Sequence, residues 1–276
     1  MKSRLNHFSG YTENKLPNYL SRNCKKLSTF EGLLFRKAFL MNTDFDPIGE
    51  AADAYLAGQH NAAINVISSI AEDDEIPVSY LFRDFQQMPE LEQFALETCS
   101  GKVLDIGAGV GSHALWLQEN GRHVTPLEIS EKACGVMKSR GVKNVVVADF
   151  RHFQPSEKFD TILLLMNGIG LAGTLEQLPA FFQKLKSWLA PGGQLLLESS
   201  DILYMYEEED GSVSLDLNSG YYGEVEYQMA FNGQKGETFP WLFIDYGLLE
   251  DYAAESGFKA EFLFEGENGE YLARLF

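Results

Sequence analysis

Three glycines at alternate positions, Gly107, Gly109 and Gly111, follow an apolar run in KVLDIGAGVGSHA (102–114). Glycines placed directly after a strand let backbone amides approach a ligand that any Cβ would hold away, which points to a nucleotide-like molecule. Four polar residues close apolar runs: Asp105 in KVLDI, Glu128 in HVTPLE, Asp149 in NVVVAD and Asn167 in DTILLLMN. In an open α/β sheet the ligand lies off the carboxyl ends of the strands, so these are the positions from which side chains reach it. Glu128 stands 21 residues beyond Gly107, the distance at which an acid accepts hydrogen bonds from ribose hydroxyls. His113, in the first turn after the loop, reads as a partly buried helix residue, and His152 as a surface one.

The elements that must position these residues alternate from Lys102 onward. KVLDI, HVTPLEI, NVVVAD, DTILLLMN and QLLLES read as strands. Between them SHALWLQENG, SEKACGVMKSRG (capped by Ser130) and TLEQLPAFFQKLKSWLA, with a Thr174/Gln177 capping box, read as helices. Runs that are apolar throughout and separated by helices predict a parallel sheet covered on both faces. Upstream, IGEAADAYLAG, NAAINVISSIAEDDE and MPELEQFALETCS predict a helical cap over 41–99. Downstream, SVSLDL, YYGEVEYQMAF and FPWLFIDY predict antiparallel strands inserted at about 203–245. A helix, GLLEDYAAESGF, and a closing hairpin, KAEFLFEG with YLARLF, follow. Pro126, inside the second strand, removes a ladder donor and marks a place where pairing must stop.

Two ligands suit such a loop, a dinucleotide and S-adenosylmethionine. The dinucleotide fingerprint needs glycine at 112, where Ser112 stands, and a carboxylate such as Asp105 inside the turn crowds a pyrophosphate. Both points favour S-adenosylmethionine. VLDIGAGVGSHA, VTPLEIS, VVVADF, DTILLLMNGIG and LAPGGQLLLESS, in this order, resemble the successive motifs of class I S-adenosylmethionine-dependent methyltransferases. The resemblance implies a Rossmann-like fold, a seven-stranded mostly parallel sheet ending in an antiparallel hairpin. It also implies roles: Gly107, Ala108, Gly109 and Gly111 against the methionine and ribose parts, and Asp105 beneath the amino-acid portion. Glu128 with Ile129 would meet the ribose, Asp149 with Phe150 the adenine, and Asn167 the methionine end. An NAD(P)-dependent oxidoreductase and a non-catalytic S-adenosylmethionine-binding protein are the alternatives.

Methyl transfer from an activated sulfonium needs alignment more than a catalytic triad, and the sequence singles out no catalytic residue and no metal site. Tyr80, Arg83, Ser200, Asp201, Tyr204 and Tyr222, from the segments flanking the motifs, are candidates for the acceptor pocket. The motif-four segment, MNGIG, lacks the Asn-Pro-Pro-aromatic pattern of DNA amino-methylating enzymes.

Charge narrows the partners. Residues 1–40 carry eight Lys/Arg and two Asp/Glu, whereas the rest carries 14 Lys/Arg against 38 Asp/Glu. An acidic body repels a phosphate backbone, so a small-molecule acceptor, with protein second, is expected in place of nucleic acid. The charge break at Met41 marks 1–40 as a basic extension, read as dispensable. No apolar stretch is long enough to cross a bilayer, and three scattered cysteines suit a reducing cytoplasm.

Overall fold

Residues 45–276, apart from 209, 216–219 and 268, are described by a computed structural model; the expected basic extension, 1–40, lies outside the described residues. Helix α1 (Pro47–Leu56) starts where Asp46 accepts from the Gly49 N–H at 2.8 Å. The next segment corrects the expected all-helical cap. NAAINVISSIAEDDE forms a hairpin, β1 (Ala63–Ser68) and β2 (Asp74–Pro77). Its β-branched Ile64, Val66 and Ile67 suit a pleated strand, and Asn65 Nδ2 donates across it to Glu75 at 3.0 Å. Helix α2 (Glu90–Thr98) then leads into the main sheet.

That sheet contains β3 (Lys102–Ile106), β4 (His123–Glu128), β5 (Val146–Val147), β6 (Phe159–Leu164) and β7 (Leu189–Ser200). The intervening helices are α3 (Ser112–Glu119), α4 (Glu131–Ser139) and α5 (Leu178–Trp188). A second antiparallel pair, β8 (Glu224–Phe231) and β9 (Gln234–Leu242), precedes α6 (Tyr246–Glu255), β10 (Ala260–Glu265) and β11 (Glu270–Leu275). The seven strands run in the order β10-β11-β7-β6-β3-β4-β5, and β11 alone opposes its neighbours. Alternate residues serve opposite faces: Leu104, Ile162 and Leu195 pack with α5 and α6, whereas Val103, Leu163 and Leu196 pack with α2, α3 and α4. Each face therefore has its own apolar core, as a doubly covered sheet requires.

Two local expectations shift. The Thr174/Gln177 capping box does not form; α5 begins at Leu178 without a side-chain cap, and Pro179 occupies its first turn, where a missing N–H costs nothing. The strand expected over NVVVAD shrinks to Val146–Val147, which meet only Leu127 and Glu128. Pro126 consequently pairs inward with Asp105 and faces no outer strand.

The hairpins β1–β2 and β8–β9 join into one antiparallel sheet, β2-β1-β8-β9, so the N-terminal segment and the insertion form a single unit. Asn232 and Gly233, at φ 50° and 78°, make its tight turn, and the rest of the expected NGQKG turn belongs to β9. Of SVSLDL, Val213 makes an isolated bridge to Glu207, while residues 216 and 217 lie outside the described residues. This unit is fastened to the main sheet's loops through the cap of α1 and through β9. Asp46 accepts from the Ser130 hydroxyl at 2.5 Å on one side. On the other, Trp241 lies against Gly170, where a Cβ would come within 2.1 Å of the indole. Gly170→Ala is expected to displace Trp241 and cost about 1–3 kcal/mol by overpacking; urea denaturation measures it, and an unchanged midpoint contradicts the contact.

Candidate cofactor site

The three glycines serve different ends. Gly107 and Ala108 donate to the Leu127 carbonyl at 2.9 and 3.2 Å, tying the loop to β4. Gly111, left-handed at φ 81°, opens α3, and a Cβ there would strike Met137 Cγ at 2.5 Å. Gly109, at φ 55°, faces open space, with no atom within 4 Å of where its Cβ would be. Its N–H donates to Glu128 Oε2 at 2.9 Å, while Oε1 accepts from Ser130 N at 2.9 Å. Two backbone donors therefore fix the carboxylate at the end of β4, and burial raises its pKa.

Beneath the loop lies a buried ionic cluster. Arg83, 8% exposed, gives one terminal nitrogen, Nη2, to both oxygens of Glu92 at 2.9 and 3.1 Å. The second Glu92 oxygen also meets His113 Nε2 at 2.7 Å. His113 is thus a buried ionic partner, and its pKa rises through Glu92 and Asp105 against the opposing effect of burial. Although burial opposes it, Glu92 is held below the ordinary carboxylate range by His113 and Arg83. Asp105 has no such partner: its Oδ2 is buried and unbonded, and burial lifts its pKa to about 6. Arg83 Nε and Nη1 and Asn167 Oδ1 are likewise buried without partners. The Arg83 guanidinium stacks on the Tyr80 ring, 3.5 Å from its centroid.

Met166 and Asn167, at φ 55° and 54°, follow β6 in a left-handed conformation that non-glycine residues rarely adopt. Asn167 Nδ2 donates to the Leu242 carbonyl at 3.1 Å, and Met166 N donates to Glu198 at 2.8 Å. Asp149 is engaged by its neighbours, accepting from Arg151 N at 2.9 Å and Nε at 3.0 Å. Phe150 packs edge-on to Phe181 in the core, and Ile129 beside Glu128 is 61% exposed. His152 lies exposed near Asp149.

The candidates for the acceptor pocket divide into two groups. Tyr80 and Arg83 join the ionic cluster. Asp201 and Tyr222 bond one another at 2.9 Å, Ser200 pairs with Glu270 at the end of β7, and Tyr204 is exposed. Glu92, Glu198 and Met166 were not anticipated. Glu198 obeys the same strand-end rule that marks Asp105 and Glu128, whereas Glu92, in the first turn of α2, carries no signal that sets it apart from a solvent-facing acid.

A twisted, doubly covered sheet with a glycine loop and acids at its carboxyl rim defines a Rossmann-like nucleoside-binding fold. Residues 103–193 match a family model described as a methyltransferase domain. A curated relative from Staphylococcus carnosus (strain TM300), named an uncharacterized methyltransferase, is 26% identical over 166 residues, 52% of this chain and 74% of that one. The crystal structure of an S-adenosylmethionine-dependent methyltransferase from Bacteroides fragilis in complex with S-adenosylhomocysteine is 45% identical. Its TM-score is 0.78, over 84% of this chain and 94% of that one. The CcbJ methyltransferase of Streptomyces caelestis shares the fold at 14% identity and TM-score 0.50, over 69% and 93% of the two chains. The chain belongs to the class I S-adenosylmethionine-dependent methyltransferases, and S-adenosylmethionine is its cofactor. The residues present fit that molecule: a cradle opens at Gly109, Glu128 is held at the rim, the unbonded Asp105 Oδ2 suits an ammonium, and the free Nε and Nη1 of Arg83 suit a carboxylate.

Proposed function

We propose that the protein methylates a small molecule in the cytoplasm. On this reading residues 100–276 form the transferase domain, and the sheet built from the N-terminal segment and the insertion at about 203–245 caps the acceptor. Residues 1–40 are a dispensable extension. The observation that carries the reading is the buried, unbonded Asp105 Oδ2, with Arg83 Nε and Nη1 left unbonded beyond the ion pair to Glu92, beside an open glycine loop. Burying unpartnered charge is costly unless a ligand completes it. When bound, the cofactor supplies an electrophilic methyl group on sulfur. Asp105 takes its ammonium, Arg83 its carboxylate, and Asn167 Oδ1 accepts a further donor at the same end. Gly107, Ala108, Gly109 and Gly111 lie along the methionine and ribose parts, Glu128 and Ile129 hold the ribose, and Asp149 and Phe150 flank the adenine. Tyr80, Ser200, Asp201, Tyr204 and Tyr222 line the acceptor side, with Asp201 fixing the Tyr222 hydroxyl. The acidic body disfavours nucleic acid as acceptor.

Calorimetry with S-adenosylhomocysteine and with NAD tests the reading: saturable binding of the first and none of the second is expected, and binding of NAD alone overturns it. Tight S-adenosylhomocysteine binding with no acceptor methylated across amines, hydroxyls and carboxylates favours a non-catalytic binder.

A further inference from the structure

Methylation of an N–H or O–H replaces one hydrogen by a methyl group, so one proton must leave the acceptor for each turnover. A base for that proton has to sit at the carboxyl rim, be free of a strong counter-cation and stay partly open to the cleft. Among the described residues Glu198 meets these conditions.

Glu198 lies in the last turn-out of β7, on the face that carries Leu196, and therefore on the same side of the sheet as Asp105 and Val103. It is half-buried. One oxygen accepts from Met166 N at 2.8 Å, the carboxylate also accepts from the Asn167 backbone, and Met166, itself 37% exposed, marks the opening. The charged and titratable groups around it are Tyr80, from the segment before α2, Glu92 on α2 and His113 on α3. Arg83, the neighbouring cation, is committed to Glu92 by two short contacts. No Lys or Arg forms an ion pair with Glu198 among the described residues. A carboxylate needed only as a latch for the Met166 loop would not have to be charged, since a neutral amide accepts the same N–H.

Resting on the cofactor reading above, we propose that Glu198 is a catalytic residue, the base that takes the proton from an amine or hydroxyl acceptor bound beside the β7 end of the site. The carboxylate becomes a neutral acid as the acceptor loses its N–H or O–H, and the proton then passes to solvent. Burial and the Glu92 charge raise the Glu198 pKa to about 7, where a base can both accept and release a proton near neutrality.

A binding measurement tests this without knowledge of the acceptor. Sinefungin carries a primary amine where the cofactor carries its methyl, and S-adenosylhomocysteine carries nothing there. Apart from the carbon that replaces sulfur in sinefungin their other groups are shared, so the pH dependence of the affinity ratio and its change in a variant report what faces that position. With Glu198 facing it, the wild-type ratio favours sinefungin and rises with pH as Glu198 ionises, reaching a plateau above pH about 7. Glu198→Gln keeps the acceptor for Met166 N and is expected to lower the ratio about tenfold at pH 8, the scale of one charge-assisted hydrogen bond. A ratio that is flat from pH 5.5 to 8 in the wild type, or unchanged in the variant, overturns the proposal while leaving the cofactor reading intact. Failure of both ligands to bind the wild-type protein overturns both. The pH series needs no variant, so a Glu198→Gln protein that does not fold leaves the wild-type result decisive.

Discussion

Gly109→Ala and Gly111→Ala, the same change two residues apart, are expected to fail in opposite ways. At Gly111 the new methyl meets Met137 Cγ at 2.5 Å and Val142 at 3.1 Å, in a backbone held at φ 81°. The left-handed penalty of about 1–2 kcal/mol adds to overpacking of about 1–3 kcal/mol. A loss of about 2–5 kcal/mol is a large part of the stability of an ordinary domain, so the denaturation midpoint falls steeply. At Gly109 the backbone strain is comparable, but the methyl projects into open space. That variant keeps its fold at a cost of about 1–2 kcal/mol. Its methyl stands on the open face of the loop, so S-adenosylhomocysteine affinity drops at least about tenfold. Paired urea melts and calorimetry separate the two. Equal loss of stability in both variants contradicts the assignment of Gly109 to the ligand and Gly111 to the helix start.

The contrast between these glycines shows where the sequence is legible. Their spacing announced a ligand loop, yet which glycine serves packing depends on Met137, near the end of α4, and Val142, just beyond it. Strands β3, β4, β6 and β7 and the polar residues at their ends were readable because each is a continuous apolar run stopped by one polar group. The hairpin β1–β2 was not. Its partner strand β8 lies some 160 residues downstream, Ser68 pairing with Tyr227, and no local period reports such a partner. Glu92 illustrates the same limit in the site. In α2 it occupies a first-turn position where acids usually face solvent, and it is buried only because Arg83 and His113 converge on it from two other elements. Tyr222 and Asp201, both candidates for the acceptor pocket, bond each other, a relation that residue type alone does not reveal.

Asp105→Asn is expected to give a protein that is more stable without ligand and poorer at binding it. The unfolded carboxyl titrates near 3.8 and the folded one at about 6, raised by burial and only partly offset by His113. A folded pKa above the unfolded value means that stability is complete below pH 3.8, declines as pH rises to about 6 and stays low beyond. A shift of roughly two units corresponds to about 3 kcal/mol as an upper bound. His113, also raised, acts in the same direction through its own range, whereas Glu92, lowered, adds stability above its unfolded pKa of 4.5 and loses it as pH falls. Glu198, raised to about 7, and Glu128, also raised, act in the same direction as Asp105, so the unliganded wild type is expected to lose stability between pH about 4 and 7. On the proposed role of Asp105, S-adenosylhomocysteine is expected to return the Asp105 part of that loss, its ammonium supplying the partner that Oδ2 lacks. The ligand-induced rise in Tm should accordingly grow with pH over this window in the wild type and be nearly flat in Asp105→Asn. At pH 8 the variant should exceed the wild type in unliganded stability by about 1–3 kcal/mol, the buried Asn amide taking back part of the gain. A Tm rise on ligand addition that is independent of pH in the wild type would show that Asp105 does not meet the ligand. A variant that is less stable without ligand at pH 8 would show that the carboxylate is needed for folding alone.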